Sequence, residues 1–272
     1  MPVAVRGGHE VHWREMGEGP RKALLLHCSL AHSGALRGLM EQLSDQLSMI
    51  AVDMPGHGRS ADWGGDGPLQ HAVAAIARDF IEEHDEPVDL IGHSFGGTSL
   101  LRVAEAQPER VRSLTLIEPP FFSAAYHISA SEMEEQERLD ASFAEAFNAG
   151  RREEGARHFT QVWGAGVPWE QMTEDQRRYI TDRIHLIEGG GYGLNDDYAG
   201  VMKPGRLERI TAPVLLVHGT QSPPGIPAVL RGLHSRLPDS RIVPIEGAGH
   251  MAPITHPEAV GAAIREFLGR SV

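Results

Sequence analysis

The chain has 272 residues and a formal net charge of −12, from 37 acidic and 25 basic side chains. This acidic balance offers no basic surface for phosphates, so we expect no nucleic-acid partner. The single cysteine, Cys28, excludes an intrachain disulfide and a Cys-x-x-Cys metal site. Met1–Gly8 lacks the apolar core of a signal peptide, and no later run is long and apolar enough to cross a membrane. We therefore expect a soluble, cytoplasmic protein with no membrane partner.

Short apolar runs alternate with helix-length segments, a pattern typical of an α/β fold with a mostly parallel, twisted sheet and helices on both faces. The length favours one large unit of this kind. Strands are predicted near Ala23–His27, Ile50–Asp53, Val88–Ile91, Ser113–Ile117, Pro213–His218 and Arg241–Ile245, after a hairpin that includes His9–Glu15. Helices are predicted at Ala35–Leu47, Leu69–His84, Phe95–Gln107, Ala228–Leu237 and Pro257–Leu268.

One stretch, residues 119–205, contains helical patterns and no strand-like run. Ser131–Glu134 and Thr173–Gln176 both fit the capping box, in which the two end residues satisfy each other's free backbone N–H groups. We therefore predict a helical cap at 119–205, inserted into a core formed by residues 1–118 and 206–272.

The predicted cap is rich in aromatic residues, holding all four Tyr and five of the eight Phe. Aromatic side chains suit both a small hydrophobic core and an apolar substrate pocket, and composition does not separate the two. If they form a pocket, the candidates are Phe121, Phe122, Tyr126 and Trp163. The excess of acidic residues in the cap is typical of a solvated helix face.

The segment Gly92-His93-Ser94-Phe95-Gly96 matches the pattern G-x-S-x-G. Its position between an apolar strand and a helical run is that of a sharp turn which raises a serine hydroxyl above the sheet. Glycines permit so tight a turn, and the serine then lies at the N-terminus of the following helix. Ser94 is therefore the candidate nucleophile, and the alternative is a structural serine in a glycine-rich turn.

Together with three further segments, this motif resembles the α/β-hydrolase superfamily, in particular its capped, single-domain members that use a serine nucleophile. These segments are Leu24–Ser29, Asp53–Ser60, which fits D-x-P-G-x-G-x-S, and Gly247–His250. The resemblance implies that His250 is the general base and that the backbone N–H groups of Phe95 and Ser29 form the oxyanion hole. A hydroxyl needs such a base, because it is a poor nucleophile while it holds its proton.

The other histidines have different expected roles. His27, His57 and His93 lie in family motifs where a histidine usually serves the turn or the packing. His9 and His12 are three apart on a predicted strand and so point to opposite faces, which argues against a shared metal. We expect no metal and no cofactor.

The acid of the expected catalytic triad is missing from its usual place. Family members place an aspartate three residues after a glycine, as G-x-x-D, but here Gly219 is followed at that spacing by Ser222. Either the chemistry is lost or the carboxylate comes from elsewhere. Glu118 is the best candidate, because it ends the strand after the nucleophile helix and parallel strand ends converge on one crevice. Some relatives supply their acid from this position. The alternative for Glu118 is a surface carboxylate at the cap hinge.

The sequence thus predicts a hydrolase that cleaves a small or medium carboxylic ester or lactone, with a small-molecule substrate. The alternatives are a ligand-binding protein that has lost its triad, a serine-dependent acyltransferase, or a hydrolase of carbon–carbon bonds. A further departure from the family is Cys28 in place of the usual glycine. If this position needs a positive φ, a Cβ there costs energy, and the backbone that carries the Ser29 N–H should differ from that of the family. Substrate identity and oligomeric state stay open.

Overall fold

The computed structural model describes residues 1–65, 67–126 and 128–270. Asp66, His127, Ser271 and Val272, which fall inside the predicted domain ranges, lie outside the described residues. Eight strands of the described chain form one sheet in the order β1-β2-β4-β3-β5-β6-β7-β8. The strands are β1 Val3–Arg6, β2 His9–Met16, β3 Arg21–Leu26, β4 Leu47–Val52, β5 Val88–His93, β6 Val111–Ile117, β7 Val214–Gly219 and β8 Ser240–Ile245.

The sheet is antiparallel at one edge and parallel elsewhere. β1 pairs with β2 and β2 with β4 in antiparallel fashion, whereas the pairs from β4 to β8 run parallel. The carboxyl ends of the parallel strands therefore share one edge, where ligands bind in open α/β sheets. The predicted α/β-hydrolase fold, a mostly parallel sheet with a leading hairpin, is confirmed.

Helices cover both faces of the sheet, because alternate strand residues point to opposite sides. In β3, Leu24 and Leu26 pack into one core cluster while Ala23 and Leu25 pack into the other. The helices are α1 Arg37–Leu43, α2 Leu69–Glu82, α3 Phe95–Ala106, α4 Ala130–Asn148, α5 Arg152–Trp163, α6 Glu174–Arg183, α7 His185–Leu194, α8 Gly225–His234, α9 Ala252–Thr255 and α10 Pro257–Arg270. Residues of α2, α3 and α8 join the first cluster, and those of α1 and α10 join the second.

The segment between β6 and β7 is helical, with α4 to α7 and short 3-10 turns in its described residues. It has a small hydrophobic cluster of its own around Ala156, Trp169 and Ile184. The division of the chain into a core and a cap domain stays a prediction.

Two local expectations were wrong. The N-cap of α4 is Ser129, whose hydroxyl accepts from Glu132 N, so the N-cap lies two residues before the predicted Ser131. The helix predicted to reach Leu47 ends at Leu43, because Leu47 is fully buried and opens β4 opposite Arg21. The capping box between Thr173 and Gln176 is present as predicted.

Candidate active site

Ser94 occupies a tight turn between β5 and α3. Its backbone has φ 53° and ψ −123°, a region that non-glycine residues rarely adopt. Such strain persists only where the surroundings enforce it, and it is concentrated at functional sites. The turn leaves the Ser94 side chain at the wall of a cavity, at the N-terminus of α3.

The glycines of the G-x-S-x-G segment are needed for packing. A Cβ on Gly92 would lie 2.5 Å from Gly97 Cα, and one on Gly96 would lie 2.5 Å from His27 O. These backbone atoms cannot be displaced cheaply. The start of α3 is therefore held directly against the ends of β5 and β3, which fixes the position of Ser94.

His250 lies in the loop after β8 and faces Ser94. Its Nε2 is 3.0 Å from Ser94 Oγ, and its Nδ1 is 3.2 Å from Glu118 Oε2. A carboxylate oxygen accepts, so the Nδ1–H donates to Glu118 and Nε2 is left to accept from the serine hydroxyl. The structure thus brings together the three residues that the sequence singled out. All three are buried, Glu118 completely and the other two to 7% exposure or less.

Glu118 follows the last residue of β6 and has a φ of 55°. A left-handed backbone costs a residue with a Cβ about 1–2 kcal/mol. Hydrogen bonds hold the carboxylate in place, because Oε1 accepts from Gly219 N and from Ser222 Oγ, each at 2.5 Å. Oε2 then faces His250. The surface-carboxylate reading of Glu118 does not fit this burial.

Ser222 occupies the usual position of the acid and contacts the residue proposed to replace it. Its hydroxyl donates to Glu118 Oε1 and accepts from Gly219 N at 3.0 Å. Sequence reasoning identified the substitution but missed this hydrogen bond. The signal was present, since a serine three residues after Gly219 lies at the strand end next to that of Glu118.

The two candidate oxyanion donors, Phe95 and Ser29, both line the cavity beside Ser94. The N–H of Phe95 belongs to the first turn of α3, where backbone donors lack a partner within the helix. The condition attached to Cys28 does not apply, because the positive φ in this turn is at Leu30, at 62°, and Cys28 has none. Ser29 therefore follows a residue without backbone strain.

Cys28 contributes to the wall of the cavity beside Ser94 but is only 3% exposed, with its Sγ 4.0 Å from the sulfur of Met251. Burial raises the pKa of its thiol to about 12. The thiol therefore stays protonated near neutral pH and is a poor nucleophile.

Three other buried histidines support backbone turns around the site. His27 Nδ1 donates to Cys28 O at 2.7 Å, and His93 Nε2 donates to His250 O at 2.9 Å. Burial lowers the pKa of His27 to about 4 and the pKa values of His57 and His93 to about 3. These rings are neutral near pH 7, in agreement with the expected packing roles.

A cavity of about 550 Å³ opens onto Ser94 and His250, and we refer to it as the Ser94 cavity. Its volume falls within the range of small-molecule sites, roughly 300–1,000 Å³. Three of the four predicted pocket residues, Phe122, Tyr126 and Trp163, line it. The fourth, Phe121, is 2% exposed and packs in the core below. Phe143, Phe147 and Phe159 of the helical segment also line it and were not predicted.

Sequence reasoning also missed Asp140, on the wall of the Ser94 cavity. Its Oδ1 accepts from Trp163 Nε1 and its Oδ2 accepts from Gln136 Nε2, both at 2.8 Å. The Trp163 ring packs against the His250 ring, with centroids 4.7 Å apart and planes at 80°. Burial raises the pKa of the Asp140 carboxyl. The residues around Asp140 in the sequence are mostly polar, and no local pattern distinguished this aspartate from its exposed neighbours.

Within residues 1–65, 67–126 and 128–270, no group of three or more His, Cys, Asp or Glu side chains is arranged to hold a metal ion. In the same ranges, no helix combines the length and the apolar character needed to span a bilayer.

With this geometry in place, comparison with known proteins identifies the class. The sequence profile of the alpha/beta hydrolase fold family matches residues 23–257. The chain therefore belongs to the α/β-hydrolase family.

Curated relatives match over nearly the full length. The chain is 28% identical to a pimeloyl-[acyl-carrier protein] methyl ester esterase of Neisseria meningitidis, covering 94% of this chain and 95% of the relative. It is 26% identical to lipase LipV of Mycobacterium tuberculosis, covering 96% and 98%. An α/β hydrolase of Sphaerobacter thermophilus has a similar solved structure, with a TM-score of 0.72, 21% identity and coverage of 98% and 100%. These names agree with the predicted enzyme class, a serine hydrolase of the esterase type.

Proposed function

We propose that this chain hydrolyses a carboxylic ester or lactone of small or medium size through an acyl-serine intermediate. Ser94 is the nucleophile, His250 the general base and Glu118 the acid that orients and stabilises the imidazolium. The observation that carries the proposal is the continuous hydrogen-bonded chain from Ser94 Oγ through both ring nitrogens of His250 to Glu118.

Acylation begins when His250 Nε2 takes the proton of the Ser94 hydroxyl and Oγ bonds to the ester carbonyl carbon. The electron pair of the carbonyl moves to its oxygen, which becomes an oxyanion. When this intermediate collapses, the bond to the leaving alkoxide breaks and His250 returns the proton to it as an alcohol. The acyl group stays on Ser94.

Deacylation repeats the sequence with water. His250 removes a proton from water, the hydroxide bonds to the acyl carbon, and collapse breaks the bond to Oγ. The carboxylic acid leaves and Ser94 regains its proton. Glu118 keeps its place throughout and offsets the positive charge that His250 carries at each tetrahedral stage.

The proposed oxyanion hole uses backbone N–H groups of Phe95 and Ser29. Donors of this kind are worth about 3–4 kcal/mol each in transition-state stabilisation, because they are already oriented toward the developing charge. The aromatic wall of the Ser94 cavity supports an apolar acyl group, and the cavity volume supports a small-molecule substrate. The cytoplasmic location stays a prediction.

A ligand-binding protein without activity was the alternative from a different class, favoured only by Ser222. The hydrogen bond from Ser222 to Glu118 removes that support, since Ser222 here positions another carboxylate. An acyltransferase would use the same acyl-serine and differ only in the second nucleophile.

A fluorophosphonate probe tests the proposal, because it reacts only with an activated serine. We expect one equivalent of label on the wild type, measured by intact mass, and turnover of p-nitrophenyl esters of graded chain length. Ser94→Ala should abolish both, whereas Ser222→Ala, a matched serine variant in the same site, should still be labelled. A wild type that neither labels nor turns over any ester would overturn the proposal.

A further inference from the structure

The charge on the wall of the Ser94 cavity is of one sign. Four carboxylates line it, those of Glu137, Asp140, Glu188 and Asp196. In the part of the chain that the structure describes, no lysine or arginine does so. Among the described lining residues, His250 is the one that can become cationic near neutral pH, and Glu118 already faces its ring.

Asp140 differs from the other three carboxylates in its burial. Glu137, Glu188 and Asp196 are exposed, whereas Asp140 is partly buried and held by two donors. One donor, Gln136, is itself 1% exposed and accepts through Oε1 from Gly225 N at the start of α8. The carboxylate is thus fixed relative to the core of the protein and cannot swing into solvent.

Asp140 also lies close to the reacting centre. Trp163 donates to Asp140 through its indole N–H and packs its ring on His250, so a single indole separates the carboxylate from the imidazole. Burial raises the pKa of this carboxyl, and the two donors act against that shift, because each N–H binds a carboxylate oxygen more strongly when it is ionised. Asp140 and Ser94 line the same cavity, so an acyl group on Ser94 would share that space with the carboxylate.

We propose that Asp140 determines substrate specificity by giving the cavity a fixed negative charge that admits neutral or cationic acyl groups and rejects anionic ones; this rests on the proposed esterase function. A negative group on the acyl chain would lose its hydration and gain no cationic partner among the lining residues described. A neutral chain avoids both costs, and an ammonium group can pair with the carboxylate.

The expected size of this effect follows from Coulomb's law. Two like charges about 7 Å apart at an effective dielectric constant of about 20 repel enough to reduce association by more than tenfold. We therefore expect the wild type to prefer a neutral ester over its anionic analogue by at least roughly tenfold in kcat/KM.

The experiment uses three p-nitrophenyl esters of equal acyl length, namely the hexanoate, the mono-ester of adipic acid and the 6-aminohexanoate. For the wild type we expect kcat/KM for the hexanoate and the 6-aminohexanoate to exceed that for the adipate mono-ester. Asp140→Asn keeps the size of the side chain and removes its charge. It should therefore lower the ratio of kcat/KM for the hexanoate to kcat/KM for the adipate mono-ester by roughly fivefold or more. Glu135→Gln, an exposed carboxylate of the same helix outside the cavity wall, should leave the ratio unchanged.

Each outcome is decisive. Equal rates on all three esters in the wild type would overturn the inference while leaving the esterase proposal intact, since the esters are still hydrolysed. A preference that survives unchanged in Asp140→Asn would show that Asp140 does not set it. If Asp140→Asn fails to fold, Asp140→Glu should retain the preference and Asp140→Ala should lose it. Absence of turnover together with absence of fluorophosphonate labelling would instead count against the proposed function.

Discussion

The hydroxyl of Ser222 donates a hydrogen bond to the carboxylate of Glu118, with Oγ 2.5 Å from Oε1. The two side chains come from neighbouring strand ends, β7 and β6, and the first stands where related hydrolases place their acid. The structure therefore brings both positions to one point, and in it the carboxylate that faces His250 Nδ1 comes from the end of β6. This contact makes the role of each residue separable by mutation.

Glu118→Gln should lower kcat by roughly 10³–10⁴-fold, because an amide cannot stabilise the imidazolium and can present the wrong group to Nδ1. Ser222→Ala removes one of two donors to Oε1 and should cost less than about tenfold, the equivalent of one modest hydrogen bond. The measurement is kcat on an ester that the wild type turns over. Equal and small effects of the two changes would reject the assignment of Glu118.

The same contact allows a rescue. In the double variant Glu118→Ser with Ser222→Asp, the carboxylate lies at the strand end after β7, so we expect recovery of at least part of the activity lost in Glu118→Ser. Glu118→Ser alone is the matched control and should stay inactive. Failure of the rescue in a folded double variant would show that a carboxylate in the loop after β7 does not reach His250 in this chain.

Stability should fall in mild acid because of buried neutral histidines. The pKa values of His27, His57 and His93 are lowered by burial to about 4, 3 and 3, against 6.5 for an ordinary histidine. Between these values the unfolded chain binds more protons than the folded one, so the free energy of unfolding rises with pH. The contribution of these neutral histidines to the free energy of unfolding is fully present above about pH 6.5 and is lost as the pH falls toward 4.

Each of these histidines contributes a slope of at most about 1.4 kcal/mol per pH unit. Urea unfolding at several pH values between about 7 and about 5 measures the total slope. His93→Gln keeps a donor for His250 O and removes one titrating group. Its free energy of unfolding should therefore vary less steeply with pH, by the equivalent of up to one proton bound on unfolding. An unchanged slope would show that His93 is not buried in its neutral form.

Gly96→Ala should destabilise the protein by about 1–3 kcal/mol, the usual cost of forcing atoms into a packed interior. The new Cβ would lie 2.5 Å from His27 O and 2.6 Å from Leu26 O, and neither backbone atom can move alone. Gly269→Ala in α10 is the control, because no described atom outside its chain neighbours and the adjacent helix backbone lies within 4 Å of its added Cβ. Helix propensity should make that change neutral or stabilising by up to about 1 kcal/mol. Similar midpoints of chemical unfolding for both variants would contradict this prediction.

Phe147→Ala should shift the preferred acyl chain to a greater length. The Phe147 ring lines the Ser94 cavity and packs against Phe143, with centroids 5.7 Å apart. Removing it enlarges the space for substrate, and kcat/KM across graded p-nitrophenyl esters reports the new optimum. Leu139→Ala serves as the control, since Leu139 is 43% exposed on the same helix and does not line the cavity. An unchanged optimum of acyl chain length would show that the acyl chain does not bind against Phe147.

The sequence was most informative where backbone geometry restricts the choice of residue. Only glycine permits the close approach at Gly92 and Gly96, so the strand-turn-helix around Ser94 could be predicted from five residues. Glu118 could be proposed because parallel strands end at one edge, a rule that applies before any coordinate is known. The alternation of apolar runs and helices predicted the sheet for the same general reason.

The remaining features depend on contacts between distant segments. The bonds from Ser222 to Glu118 and from Trp163 to Asp140 join parts of the chain 104 and 23 residues apart. Local pattern contains no record of such pairs, so Asp140 was missed and Phe121 was assigned to the pocket although it packs in the core. The predicted N-cap at Ser131 was wrong. Ser129 and Ser131 each have a glutamate three residues later, so both fit the local rule, and the helix uses the first.

The burial of Cys28 has a practical consequence. Its thiol is 3% exposed and its pKa is raised to about 12, so alkylating reagents should not modify it near neutral pH. Because Cys28 is the single cysteine of the chain, a second cysteine introduced on the surface would supply the one reactive thiol. Fluorophores or spin probes could then be attached at chosen sites to follow movement of the helical segment, without first replacing the native sulfhydryl.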